Sequence, residues 1–136
     1  MATGAIATTK LGDNAVFTAD LFFNGQALAD TGATTSEEFL FAQTLGMTEI
    51  QITASGEVAT GAGETLVISI TTSPTSGGTF TEVHSQTVAA STTIADRGIV
   101  ASYVAPADMG DCYTKVVITS DFDAAGLDVD GGTTIV

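Results

Sequence analysis

The sequence predicts an all-β domain, either a sandwich or a barrel. Two observations carry this. Turn signals recur along the whole chain: LGDN, NGQ, DTGATT, ASGEVATGAGE, SPTSGG, ADRG, PADMGD and DAAG. Between them lie short runs rich in Val, Ile, Thr, Phe and Tyr, and none sustains a helical period. The length of 136 residues suits one domain with a core of its own.

Several runs alternate with period 2, as half-buried strands do. In residues 48–54, Ile50, Ile52 and Ala54 share one face, and Glu49, Gln51 and Thr53 the other. Residues 64–72 set Leu66, Ile68 and Ile70 together. Residues 98–104 are expected to do the same with Ile99, Ala101 and Tyr103. In residues 112–120, Cys112, Thr114, Val116 and Ile118 form one face; Tyr113, Lys115 and Val117 form a partly exposed one. Residues 36–44 are open between two readings. Thr35-Ser-Glu-Glu38 fits a helix capping box before FLFAQTL, whereas Phe39-Leu-Phe41 fits a strand, which the rest of the chain favours. Residues 1–20 read as an N-terminal arm, small and polar at its start, that orders on assembly. Residues 21–136 read as the single β domain.

Charge excludes several functions. Sixteen acidic residues stand against Lys10, Arg97 and Lys115, a formal net charge of −13. Such a surface repels phosphate backbones and anionic membranes. The opening MATGAIATTK has neither a basic start nor an apolar run, so it does not read as a signal peptide. The apolar runs are too short to span a bilayer. Cys112 is the only cysteine and forms no internal disulfide. It alternates with apolar residues, which points to a packed thiol.

Four stretches invite a chemical reading. SDFDAAGLDVDGG, residues 120–132, resembles a calcium loop at first sight. Counted from Asp121, however, the fifth position is Ala125 and the twelfth is Gly132, so two ligands are missing. A hairpin loop is the better reading: Phe122 packs inward, Gly126 turns the chain, and Asp128 and Asp130 face solvent on a last strand. SPTSGGTF, residues 73–80, has the spacing of an Asp-box hairpin with Thr75 in place of the Asp, and Phe80 anchors the returning strand. His84, the only histidine, has no nucleophile motif or metal-ligand spacing beside it and reads as structural. Phe17, Phe22 and Phe23 cluster near the start; core packing accounts for some, and a protein contact for the rest. No enzyme motif, metal site or cofactor site is expected.

One further pattern is a resemblance. LFFNGQAL, residues 21–28, resembles the opening strand of a family of tailed-bacteriophage capsid cement (decoration) proteins. ADTGATTSEE and FLF resemble the small-residue connection and short apolar strand that follow it. ETLVISITTS and the turn ending in Thr79-Phe80 are similar to the family's next hairpin. Tyr113-Thr-Lys-Val-Val-Ile-Thr-Ser120 is similar to its "Tyr-x-Arg-x-x-Tyr-x-x-Ser/Thr" strand, with Lys115 in the basic position. Phe122-Asp-Ala-Ala-Gly126 is similar to "Phe-Thr-Ala-Gly" before the last strand. The resemblance spans residues 21–136, while residues 1–20 and the loop SGEVATGAGE are longer than the family pattern.

The resemblance implies a jelly-roll-like antiparallel β-sandwich with an N-terminal arm, on the outer surface of a virion capsid assembled in the host cytoplasm. It implies the phage major capsid protein and the chain itself, as a dimer or trimer, as partners. Nucleic acid and membrane are not expected partners. Lys10, Phe17, Leu21, Phe22 and Phe23 are the candidate capsid or oligomer contacts. A sugar-binding β-sandwich of a fibre or adhesin is the alternative, motivated by the acidic loops, and another virion joining or tail β-domain is a third.

Overall fold

A computed structural model describes residues 17–41, 48–105 and 112–135. Its strands are β1 (Phe17–Ala27), β2 (Ala33–Thr35), β3 (Phe39–Phe41), β4 (Thr48–Ser55), β5 (Val58–Ala59), β6 (Leu66–Ser73), β7 (Thr81–Val88), β8 (Thr93–Ile94), β9 (Ile99–Val104), β10 (Cys112–Ser120) and β11 (Asp128–Ile135). The described residues contain no helix. Every pairing is antiparallel.

Two sheets pack face to face as a β-sandwich. The first runs β1-β11-β4-β9; in the second, β2-β10-β6-β7, β3 also pairs with β10. A ribbon of β5 and β8 stands apart. If β2 and β3 count as one broken strand and the ribbon is set aside, the principal strands in chain order fall 1-8-3-6 and 2-7-4-5. The pairing is therefore nested: first with last, second with seventh, third with sixth, fourth with fifth.

The core lies where the inner faces meet. The first sheet contributes Phe23, Ile50, Ile52, Ala54, Ala101 and Val129; the second contributes Leu66, Ile68, Ile70, Val116 and Ile118. Alternation explains most of this. β6 and β10 pair through eight successive residues, from Tyr113 opposite Ser73 to Ser120 opposite Leu66, without a register shift. Every second side chain therefore points inward.

Two sequence expectations need correction. Ile99 does not share a face with Ala101: it is 55% exposed, while Val100 is buried. β9 carries an extra residue, because Ile52 pairs with Ala101 but Thr53 pairs with Ile99. Such a bulge resets the alternation. Residues 121–127 are not a hairpin loop either. They carry the chain from β10 in the second sheet to β11 in the first. Phe122 does pack on the core, and Gly126 turns the chain at φ +98°. The segment is tied down by an isolated antiparallel backbone β-bridge between Asp30 and Asp123, by Thr31 N donating to Phe122 O at 2.8 Å, and by Leu28 N donating to Leu127 O at 2.9 Å.

The open question at residues 36–44 resolves to strand over 39–41; residues 42–44 lie outside the described residues. Ser36 caps no helix. Its buried Oγ accepts from Val116 N at 2.9 Å and locks the β2–β3 break onto β10. Residues 17–20, grouped by sequence with the arm, are the first four of β1. Residues 1–16, the PADMGD turn from residue 106 to 111, and Val136 lie outside the described residues.

Candidate interaction surfaces

Two of the three phenylalanines proposed as contacts turn inward. Phe23 is 2% exposed and belongs to the core, which corrects its reading as a contact. Phe22 also turns inward. It meets Phe23 edge-on at 5.3 Å and stacks on Phe39 of β3 at 4.9 Å, joining the two sheets along one side. Both rings can point in because β1 is bulged: Leu21 pairs with Gly132, Phe23 with Gly131, and Phe22 is the extra residue. Gly131 makes the space. A Cβ there would lie 2.5 Å from Phe22 Cε1 and 2.9 Å from its Cζ. Leu21 is half-buried, and Phe17 opens β1 opposite Thr134. Lys10 lies outside the described residues.

The acidic loops hold their own turns. Six carboxylates each accept a backbone N–H: Glu38 from Gly77, Glu64 from Gly61, Asp96 from Gly56, Asp121 from Thr65, Asp123 from Ala125 and Asp130 from Gly25. Such charge-assisted bonds fix turns more firmly than neutral ones. Asp121 also accepts the Thr65 hydroxyl at 2.8 Å. The Thr65 backbone N–H, then its hydroxyl, hold the Asp121 carboxyl below its ordinary range. Glu38 is lowered likewise, first by the Ser76 hydroxyl and then by the Gly77 N–H. Among the described residues, no group of three or more His, Cys, Asp or Glu is placed to hold a metal ion.

SPTSGGTF is the β6–β7 turn, and Glu38 clamps it from the β2–β3 connection. Ser73 Oγ donates to Thr75 O at 2.8 Å and accepts from Thr75 N at 3.2 Å. Lys115 Nζ stands 4.8 Å over the Phe80 ring, so the aromatic anchors the hairpin to β10.

His84 sits where the two sheets' other edges approach. Its ring lies 4.8 Å from that of Tyr103 on β9, and Ser102 N donates to Gln86 Oε1 at 3.3 Å. His84 Nε2 is buried without a hydrogen-bond partner among the described residues. Burial, and then the neighbouring Cys112 side chain, raise the Tyr103 hydroxyl above its ordinary range. Cys112 is a packed thiol, with Sγ 3.7 Å from Thr114 Oγ1.

The outward faces of the two sheets differ in charge. On the first, β4 presents Glu49, Gln51 and Thr53 beside Asp128 and Asp130 of β11. On the second, β6 presents Val67, Ser69 and Thr71, and β10 presents Lys115, Val117 and Thr119. Ser85 and Thr87 of β7 lie opposite Ser69 and Val67, and Thr35 and Ala33 of β2 opposite Val117 and Thr119. The middle of this face carries no acid, in a chain of net charge −13. Sequence reading identified the Lys115 face as partly exposed but missed its neutrality. The signal was available in the alternate positions of LVISITTS and CYTKVVITS, which are hydroxyl or β-branched nearly throughout.

Comparison with protein-family models, with curated proteins and with solved structures finds no match to this chain.

Proposed function

We propose that this chain is a structural virion protein. In this reading it is a jelly-roll sandwich on the outer surface of a tailed-phage head, where it clamps neighbouring major capsid subunits against internal DNA pressure. The observation that carries the proposal is the nested strand order 1-8-3-6 over 2-7-4-5. That is the order produced when one long antiparallel hairpin is rolled into two sheets, the jelly-roll path. The stretches that resemble capsid cement proteins fall on β1, on the β6–β7 hairpin, on β10 and on the crossover into β11.

Jelly rolls recur in viral capsid and carbohydrate-binding domains, so fold alone admits both readings. The sugar-binding reading draws less support. Its acidic loops already cap backbone N–H groups. The aromatic side chains described are all buried or half-buried, which leaves none as an open stacking platform.

A protein that binds only the assembled shell stabilises it by mass action, and many copies on a lattice add weak contacts through avidity. The test is the temperature at which heads release their DNA, with and without this protein. Heads carrying it should hold DNA to a higher temperature. Equal release temperatures, or failure to co-purify with heads, would contradict the proposal.

A further inference from the structure

We propose that the outer face of the second sheet is a self-association surface, on which a second copy of this chain docks about a two-fold axis running along β6. The family resemblance implies a dimer or trimer without fixing which face is shared; that face and its symmetry are assigned from charge and register alone.

Charge decides which face two copies can share. Each chain carries −13, and like charges repel across a Debye length of about 8 Å at physiological ionic strength. Face-to-face contact through the first sheet would bring Glu49, Asp128 and Asp130 of one copy against the same residues of the other. The centre of the second sheet, around Ser69, Val117 and Thr119, has no charge to desolvate. It is also regular, since β6 and β10 pair without a register shift. Its short Ser, Thr and Val side chains lose little rotamer freedom when covered.

One charged row crosses this face, and its Lys115 already lies within electrostatic reach of Glu38 of the same copy. Thr71 of β6 pairs with Lys115 of β10 on one side and, immediately past a register shift against β7, with Glu82 on the other. The two opposite charges therefore flank Thr71, about 10 Å apart at two interstrand spacings. A two-fold axis along β6 exchanges the positions of the flanking strands. It sets Lys115 of each copy against Glu82 of the other, so both pairs form at once and the assembly closes as a dimer.

The four-strand face covers roughly 500 Å² per copy from strand spacing and rise, or about 1,000 Å² for the pair. That is the lower end of specific interfaces, so the dimer is weak, with a dissociation constant on the order of micromolar to hundreds of micromolar.

Sedimentation equilibrium of the purified full chain up to about 1 mM, a concentration at which such a dimer is populated, reads this directly. The wild-type chain should show a monomer–dimer equilibrium. Ser69→Glu puts like charges on the axis and should abolish it. Lys115→Glu and Glu82→Lys should each weaken the dimer by about tenfold, and the double exchange should restore it. Glu82→Lys is the sharpest arm. It changes the net charge from −13 to −11 (−13 + 2) and would tighten any association limited only by general repulsion. Circular dichroism confirms folding, and Glu82 is exposed on an edge strand, so this variant reports even where Ser69→Glu misfolds. A wild-type monomer throughout the range, or a Glu82→Lys dimer tighter than wild type, would overturn the proposal. Neither result bears on DNA release from heads, so the two proposals fail separately.

Discussion

The two sheets share one core but are built differently. The second is regular at its centre: β6 and β10 alternate without interruption, and the outer face is neutral across its middle. The first is irregular at both margins, with three register shifts between β1 and β11 and one between β4 and β9, and its outer face is acidic. Regularity in the second sheet is confined to the central β6–β10 pair, since β7 shifts register against β6 between Ile70 and Thr71. Irregularity lets the first send Phe22 and Phe23 inward in succession and so close one side of the sandwich against Phe39. In this small sandwich both sheets fill one core, and a bulge in the first turns two successive aromatics into it.

The comparison can be broken first at the core, where the sheets should behave alike. Ile52 in the first sheet and Ile70 in the second are both fully buried. Truncating either to Ala should cost about 2–5 kcal/mol in urea denaturation. If only one of them were costly, the sheets would not share a single core.

The next effect separates the sheets. Gly131→Ala drives a methyl into the Phe22 ring and should cost about 1–3 kcal/mol by overpacking. Placed in a Phe22→Ala background, it should cost almost nothing further, because the ring it strikes is gone. Equal costs in both backgrounds would mean that the bulge is not the reason for glycine. In the second sheet, Ser36→Ala leaves the Val116 N–H without its hydroxyl acceptor and should cost about 1–3 kcal/mol. Thermal melts of the two variants would show whether the regular sheet is as intolerant as the bulged one.

The smallest effects are expected at the turn caps. Asp121 and Glu38 are held below their ordinary carboxyl values by hydrogen bonds present only in the fold. Their contribution is therefore in place above the unfolded-state values, and it is lost as pH falls through the lowered ones. Asp121→Asn and Glu38→Gln should lower the melting temperature at neutral pH, and the difference from wild type should close in acid, once the pH has fallen through the lowered carboxyl values. A gap that persists there would point to shape, not charge, as the role of these side chains.

Much of the fold was legible because period-2 burial is a local property. Ile50-Gln-Ile52 and Leu66-Val-Ile68 announce their faces within a few residues. Bulges were not legible. One extra residue changes no propensity, yet it turned Ile99 out and Phe22 in. The crossover at DFDAAG was misread for a related reason: a turn signal marks where the chain bends, not which sheet it joins next. The acids looked like a site because their partners are distant in sequence. Thr65 for Asp121 and Gly77 for Glu38 are brought near only by the fold. Thr35-Ser-Glu-Glu38 carried a helix signal, but both of its useful side chains serve strands: Ser36 holds β10 and Glu38 holds the β6–β7 turn.

The proposal that this sandwich decorates a phage head is tested most directly by a cryo-electron-microscopy map of heads purified with the protein present. The account predicts density for the two-sheet fold on the outer surface, bridging adjacent capsid subunits at repeated lattice positions. A shell without that density, or the same fold found in a ring at the tail or joining region, would contradict it.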